Sequence, residues 1–171
     1  MVVDATGRDC MIARRMGWRR PDPVLNKIAH FPHFKGAFRR DSKDVVDIGP
    51  VFEGSVTTDI YTIDGGWIWY IPLADDIVSV GAVLDARHAK TLGDSPQERF
   101  ERAIANSPTV RQMVGDSAQQ MEMQTISNIS YLNEQFVGDG FVLVGDASMF
   151  VDPIFSAGVT LAIRSGIYAS E

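Results

Sequence analysis

The chain has 171 residues, of which 45% are hydrophobic and 22% charged, with a formal net charge of −6. That size and composition suit a self-supporting folded domain rather than a disordered segment, and the acidic balance argues against a nucleic-acid partner. No apolar run approaches the ~18 residues of a membrane span, and Met1 to Arg8 lacks the basic and long apolar regions of a signal peptide. The one cysteine, Cys10, excludes an internal disulfide framework and suits a reducing, cytoplasmic setting. His30, His33 and His88 have no metal-site spacing around them, so no metal is expected.

In chain order, Met1 to Ala5 reads as a short buried strand and Thr6-Gly7 as the turn after it. Arg14, Arg15, Arg19 and Arg20 form a basic cluster, read as solvated or helix-end charge rather than a phosphate site. Asn26 to Arg39 alternates loosely, and Val45 to Tyr61 carries β-branched and aromatic residues between turn signals. Gly66 to Leu73 and Ile77 to Leu84 flank Ala74-Asp75-Asp76 and predict a hairpin. Pro72 cannot donate to a ladder and belongs at an edge, a bulge or a strand end.

Ser95, Pro96 and Glu98 occupy the N-cap, N1 and N3 positions of a capping box. The helix they open, 96–106, places Phe100, Ala103 and Ile104 on one face. A short helix follows over Thr109 to Val114. Met121 to Tyr131 reads as a strand, Gly138 to Gly140 as a turn, Phe141 to Val144 as a buried strand and Val159 to Ala169 as a helix. A strand with nothing before it and a helix with no stop signal suggest an excerpt of a longer chain. The order predicts a mixed α+β and α/β fold, in which an antiparallel sheet is inserted into or beside part of a nucleotide-binding unit.

Two stretches carry chemistry. In "VLVGDASMFVDPIFSAGVTLAIRSG", residues 142 to 166, an apolar strand ends at Gly145-Asp146 and a helix begins at Gly158. A carboxylate at the carboxyl end of a strand can accept hydrogen bonds from neighbouring hydroxyls. Gly145 admits a bulky ligand close to the backbone, and the helix start offers N–H groups and a positive dipole end. Spacing alone leaves this open against a local turn cap followed by an ordinary helix start. The second stretch is "GWIWYIP". Trp67, Trp69 and Ile71 share one strand face, and two rings two residues apart build either a rigid apolar wall or a well-packed core.

"GDASMFVDPIFSAGV" resembles the second flavin-binding motif of FAD-dependent monooxygenases with the hydroxybenzoate-hydroxylase fold. "VVDATGR" is similar to the strand and turn that close the dinucleotide-binding unit of those proteins. "WIWYIP" looks like the W-x-W-x-I-P signature of the flavin-dependent halogenases. Together these matches flank essentially the whole chain.

The resemblance implies an FAD-dependent oxidoreductase of the halogenase type. In that family, FAD reduced by a separate flavin reductase forms a hydroperoxide. A halide is oxidised there to hypohalous acid, which halogenates an electron-rich aromatic. It further implies that Asp4, Gly7, Arg8, Gly145, Asp146, Pro153, Gly158 and Val159 bind cofactor. The N–H groups at Ala157 and Gly158 would hold halide, Ser156 would keep that pocket accessible, and Trp67 and Trp69 would form the wall. Residues 1–25 would end the dinucleotide-binding unit, 26–134 would form the substrate-side sheet, and 135–171 would return to the FAD-binding part.

Some family features are absent. There is no GxGxxG, and Lys27, Lys35, Lys43 and Lys90 offer no counterpart of the catalytic lysine. Phe155 stands where the branch acting on free tryptophan carries a glutamate, which favours phenol, pyrrole or carrier-tethered substrates. Alone, the piece would bind FAD weakly or not at all, and its open strand edges suggest self-association. The competing expectations are an FAD-dependent hydroxylase or geranylgeranyl-reductase-like oxidoreductase, and a catalytically silent domain.

Overall fold

The computed structural model describes residues 1–39 and 57–171. The strand-rich stretch expected over 45–56 lies outside them. The chain divides into two compact units, one built from Met1–Lys27 with Asn128–Glu171 and the other from Ile28–Ser127. Secondary structure is mixed α and β throughout.

The chain begins with β1 (Val2–Asp4), a single turn of 3-10 helix over Gly7–Asp9, α1 (Met11–Arg15) and β2 (Arg19–Pro21). Next come β3 (Lys27–Phe31), β4 (His33–Lys35), β5 (Asp59–Ile63), β6 (Gly66–Pro72) and β7 (Ile77–Asp85). Three helices follow, α2 (Ala86–Leu92), α3 (Pro96–Ala105) and α4 (Pro108–Val114). The short strands β8 (Ala118–Gln119) and β9 (Gln124–Ser127) complete the middle of the chain. The return segment holds β10 (Tyr131–Asn133), β11 (Val137–Gly138), β12 (Phe141–Leu143), β13 (Met149–Phe150) and α5 (Gly158–Ser170).

The middle unit is an antiparallel sheet with helices on one face. β5, β6, β7, β3 and β9 lie side by side, with β4 paired to β7 and β8 paired to β4. The expected hairpin forms, with Gly66↔Leu84 through Pro72↔Val78 in register. Asp75 and Asp76 at its tip both take positive φ, 57° and 59°, the backbone that a two-residue turn matched to strand twist demands. Pro72 is the last residue of β6, where its missing N–H costs no interior ladder bond.

Alternation along the hairpin sorts its two faces. Ile68, Tyr70, Val78, Val80, Ala82 and Leu84 pack with Phe100, Ala103 and Ile104 of α3 and Val110 and Met113 of α4. Burial of each Val, Leu, Ile, Phe or Met in this layer is worth roughly 1.5–3 kcal/mol. α3 starts with the expected capping box: Ser95 Oγ accepts from Glu98 N–H at 3.2 Å and the Glu98 carboxylate accepts from Ser95 N–H at 3.2 Å.

The other unit is an α/β arrangement. β1 pairs parallel with β12, Val2↔Phe141 through Asp4↔Leu143, and β11 adds antiparallel to β12. A second small sheet has the order β13-β10-β2. Cys10, Ala13, Tyr131 and Leu143 are the buried centre, flanked by Trp18 stacked on Phe141 at 5.4 Å.

The run expected as one strand over Met121 to Tyr131 is two strands. Asn128 takes a left-handed φ of 50°, which ends β9 against β3 and releases β10 to pair with β2 and β13. Residues 128–134 therefore fold with the terminal segments. No helix among the described residues is long and apolar enough to cross a membrane.

Candidate functional site

Because β1 and β12 are parallel, they run out at the same end, and each leads into a tight turn, over Gly7–Asp9 and Gly145–Ala147. Ligands of open α/β sheets bind at that end. A cavity of about 530 Å³ opens there, lined by Ala5, Gly7, Val144, Gly145, Asp146, Phe150, Gly158, Val159 and Ala162. A second cavity, of about 240 Å³, shares Asp146, Phe150, Gly158 and Val159 with the first and adds Asp152, Pro153 and Ser156 among its walls.

The first turn is organised by Asp4, which is 1% exposed and lines neither cavity. Its carboxylate accepts from Thr6 Oγ1 at 2.6 Å, Thr6 N–H at 3.0 Å and Ile12 N–H at 2.7 Å. Burial pushes its pKa up, but these hydrogen bonds outweigh burial and hold it below the ordinary 3.8. Gly7 has φ +62° with open space where a Cβ would be, so the turn presents bare backbone to the cavity. Arg8 places its guanidinium 5.2 Å from the centre of the Phe150 ring.

The second turn presents Asp146. Gly145 enters it at φ +56°, and a Cβ there would meet the Ala162 Cβ at 3.1 Å, so the turn packs closely against α5. The Asp146 carboxylate accepts no hydrogen bond from any described residue, although the side chain is half-buried. Burial raises its pKa, and the positive charge of Arg8 opposes that rise. A half-buried carboxylate without donors, on a residue that lines a cavity, can accept hydrogen bonds from hydroxyls or N–H groups.

The loop between the second turn and α5 contains a capped turn of its own. Asp152 Oδ1 accepts from Ile154 N–H at 3.0 Å, capping a single 3-10 turn over Pro153–Phe155. Ser156 is exposed and takes a left-handed φ of 51°. Ala157 is the N-cap of α5 and supplies no side-chain acceptor. The first N–H groups of that 13-residue helix therefore have no side-chain cap among the described residues. Phe155 is 88% exposed.

Trp67 and Trp69 lie in the middle unit, on the sheet face opposite its helices. Their ring centres are 6.0 Å apart, and Phe31 stands 5.4 Å from Trp69. Trp69 Nε1 donates to Ser79 Oγ at 3.1 Å, and its ring lies over Gly81. Trp67 is 5% exposed, and its Nε1–H has no partner among the described residues.

Of the residues singled out from the sequence, Gly7, Gly145, Asp146, Gly158 and Val159 meet on one cavity. Asp146, Pro153, Ser156, Gly158 and Val159 meet on the other. Arg8 joins them across Phe150, and Ala157 through the start of α5. Asp4 supports from behind. The structure adds Tyr131, whose hydroxyl donates to the Asp146 carbonyl at 2.6 Å, and Asn133, whose Nδ2 donates to the Ala147 carbonyl at 2.7 Å. Nothing in their local spacing marks them, because the pairing that brings β10 to the turn runs through β13.

Residues 31–169 match the family model described as tryptophan halogenase. The chain is 34% identical to the 1H-pyrrole-2-carbonyl-(peptidyl-carrier protein) chlorinase of Pseudomonas fluorescens, covering 99% of this chain and 37% of that protein. It is 33% identical to the corresponding brominase of Pseudoalteromonas luteoviolacea, covering 100% of this chain and 41% of that one. Among solved structures, the flavin-dependent halogenase CmlS superposes with a TM-score of 0.82 at 32% identity, over 99% of this chain and 29% of that one. The chain thus spans about two fifths of the length of the curated relatives named here. With the family model matching most of its length and the strand-end cavity in place, the chain belongs to the tryptophan halogenase family.

Proposed function

We propose that the protein carrying this chain is an FAD-dependent halogenase acting on an electron-rich aromatic, with a pyrrole held on a carrier protein as the favoured substrate. The observation that carries this reading is the donor-free Asp146 carboxylate on the wall of a cavity whose other side is the start of α5. The residues present fit FAD. The carboxylate suits a polyol chain, Gly7 and Gly145 admit close approach, and the about 530 Å³ cavity has mostly apolar walls to receive a flat ring.

FAD, kept reduced by a separate flavin reductase, supplies the oxygen activation that turns halide into hypohalous acid. In this reading Asp146 binds the ribityl hydroxyls, and Gly7 and Arg8 lie towards the phosphates. Pro153 and Val159 flank the ring. The free N–H groups at Ala157 and Gly158 hold halide, as a helix start holds other anions. Ser156, exposed and left-handed, leaves that anion site open. Trp67 and Trp69 wall off their face of the sheet, excluding water and denying an organic molecule contact with it. The relatives that act on carrier-bound pyrrole support the substrate class.

The test is intact-mass analysis of a pyrrolyl-loaded carrier protein incubated with the full-length protein, FAD, a flavin reductase, NADH and chloride or bromide. A halogen-for-hydrogen mass gain is expected. A product that gains only oxygen would establish the hydroxylase alternative instead.

A further inference from the structure

In the Gly145–Ala147 turn, nearly every backbone polar group is tied to the protein. Gly145 N–H donates to Ser165 Oγ at 2.8 Å, and the Gly145 carbonyl accepts from Ser148 N–H at 2.9 Å and Ser148 Oγ at 2.7 Å. Ala147 N–H donates to the Val144 carbonyl at 3.2 Å. Two carbonyls remain, those of Asp146 and Ala147, and both are taken by β10. Tyr131 Oη donates to the first at 2.6 Å and Asn133 Nδ2 to the second at 2.7 Å. The Cys10 thiol adds a weaker contact to the Asp146 carbonyl at 3.5 Å.

The N–H and the carboxylate of Asp146 alone are left without a partner among the described residues. With the peptide groups on either side tied, the Cα–Cβ direction of Asp146 is set by the turn, and the residue lines both cavities. Tyr131 is 2% exposed, and its ring packs against two neighbours. Arg19 lies 3.8 Å over one face, and Phe150 stacks at 6.4 Å. A hydroxyl so fixed is a rigid donor rather than a surface contact.

We propose that Tyr131 and Asn133 are positioning residues. By pulling consecutive carbonyls of the turn towards β10, they hold the Asp146 carboxylate at the angle at which it receives the cofactor's hydroxyls. The proposal rests on the flavin-site reading above and adds to it two residues that touch no ligand. Their contribution to flavin affinity passes through Asp146 and vanishes when that carboxylate is removed.

A double-mutant cycle in the full-length protein tests this, with FAD affinity read from quenching of flavin fluorescence and folding from thermal melting. Losing one hydrogen bond corresponds to a loss of about fivefold in affinity for Tyr131→Phe, and Asp146→Ala is expected to lose about tenfold or more. The double variant should then match Asp146→Ala to within about twofold. Asn133→Leu, which keeps the branch at Cγ and loses the donor, runs through the same cycle, so the result does not depend on one variant folding. Unchanged affinity in Asp146→Ala would overturn the site reading, and this proposal with it. If Asp146→Ala weakens binding and both β10 variants bind as tightly as the parent, the positioning role fails while the site stands. An equal loss in both backgrounds means a general structural effect and also overturns the proposal.

Discussion

Asp4 ends β1 and Asp146 follows its parallel neighbour β12, and their surroundings drive their carboxyl groups in opposite directions. Asp4 accepts from three donors, two on Thr6 and one at the start of α1, and its pKa is lowered despite burial. Asp146 has burial without donors and is pushed towards the neutral form. The linkage consequence for Asp4 has a definite sign. Its folded pKa is depressed, so its stabilisation is complete above the ordinary 3.8 and is lost as pH falls through the folded value. Asp4→Asn is expected to lower stability at neutral pH by about 2 kcal/mol and to flatten the acid-side slope below pH about 4. Urea unfolding from pH 7 down to 3 reads both effects. The two aspartates were equally visible in the sequence, both resembling cofactor residues, but which one faces the cavity was not. That depends on Thr6 and Ile12 folding back over Asp4.

At the level of elements, the Trp67–Trp69 face depends on a single absent side chain. A Cβ at Gly81 would sit 2.1 Å from the Trp69 ring, so Gly81→Ala must push the ring out or spread β6 from β7. The expected cost is about 1–3 kcal/mol, with a shift in tryptophan fluorescence, measured together in one denaturant titration. An unshifted emission with full stability would show that Trp69 does not pack on Gly81.

The hairpin and α3 were legible because their signals are local: alternation around an Ala-Asp-Asp tip, and Ser95, Pro96 and Glu98 at capping-box spacing. α2 was not foreseen. It opens at Asp85 with no side-chain cap and spans only Ala86–Leu92, too short for a periodic signal to emerge. The break at Asn128 was equally hidden. β-branched residues run through it, and only a left-handed backbone angle divides the strands between the two units. The Gly-Asp turn was legible as a motif, whereas its support from β10 is a tertiary pairing that spacing does not encode.

At the scale of the whole molecule, the site belongs to the unit built from both termini, and α5 has no buried residue. Val159, Ile163 and Ile167, spaced four apart, are 72%, 60% and 53% exposed, an apolar stripe of the kind that drives association. The isolated chain is expected to self-associate with rising concentration, and Ile163→Glu to reduce that association, as read by light scattering. The chain spans 37% and 41% of its pyrrole-halogenating relatives, so the activity is properly tested in the full-length protein. The central claim is that the site oxidises halide, whatever the final acceptor. Halogenation of monochlorodimedone, with FAD, a flavin reductase, NADH and bromide present, measures that step without any knowledge of the natural substrate. Trap halogenation is expected to require both flavin and halide and to fall at least about tenfold in Asp146→Ala. Tight FAD binding and oxygen consumption with no halogenated trap would contradict it.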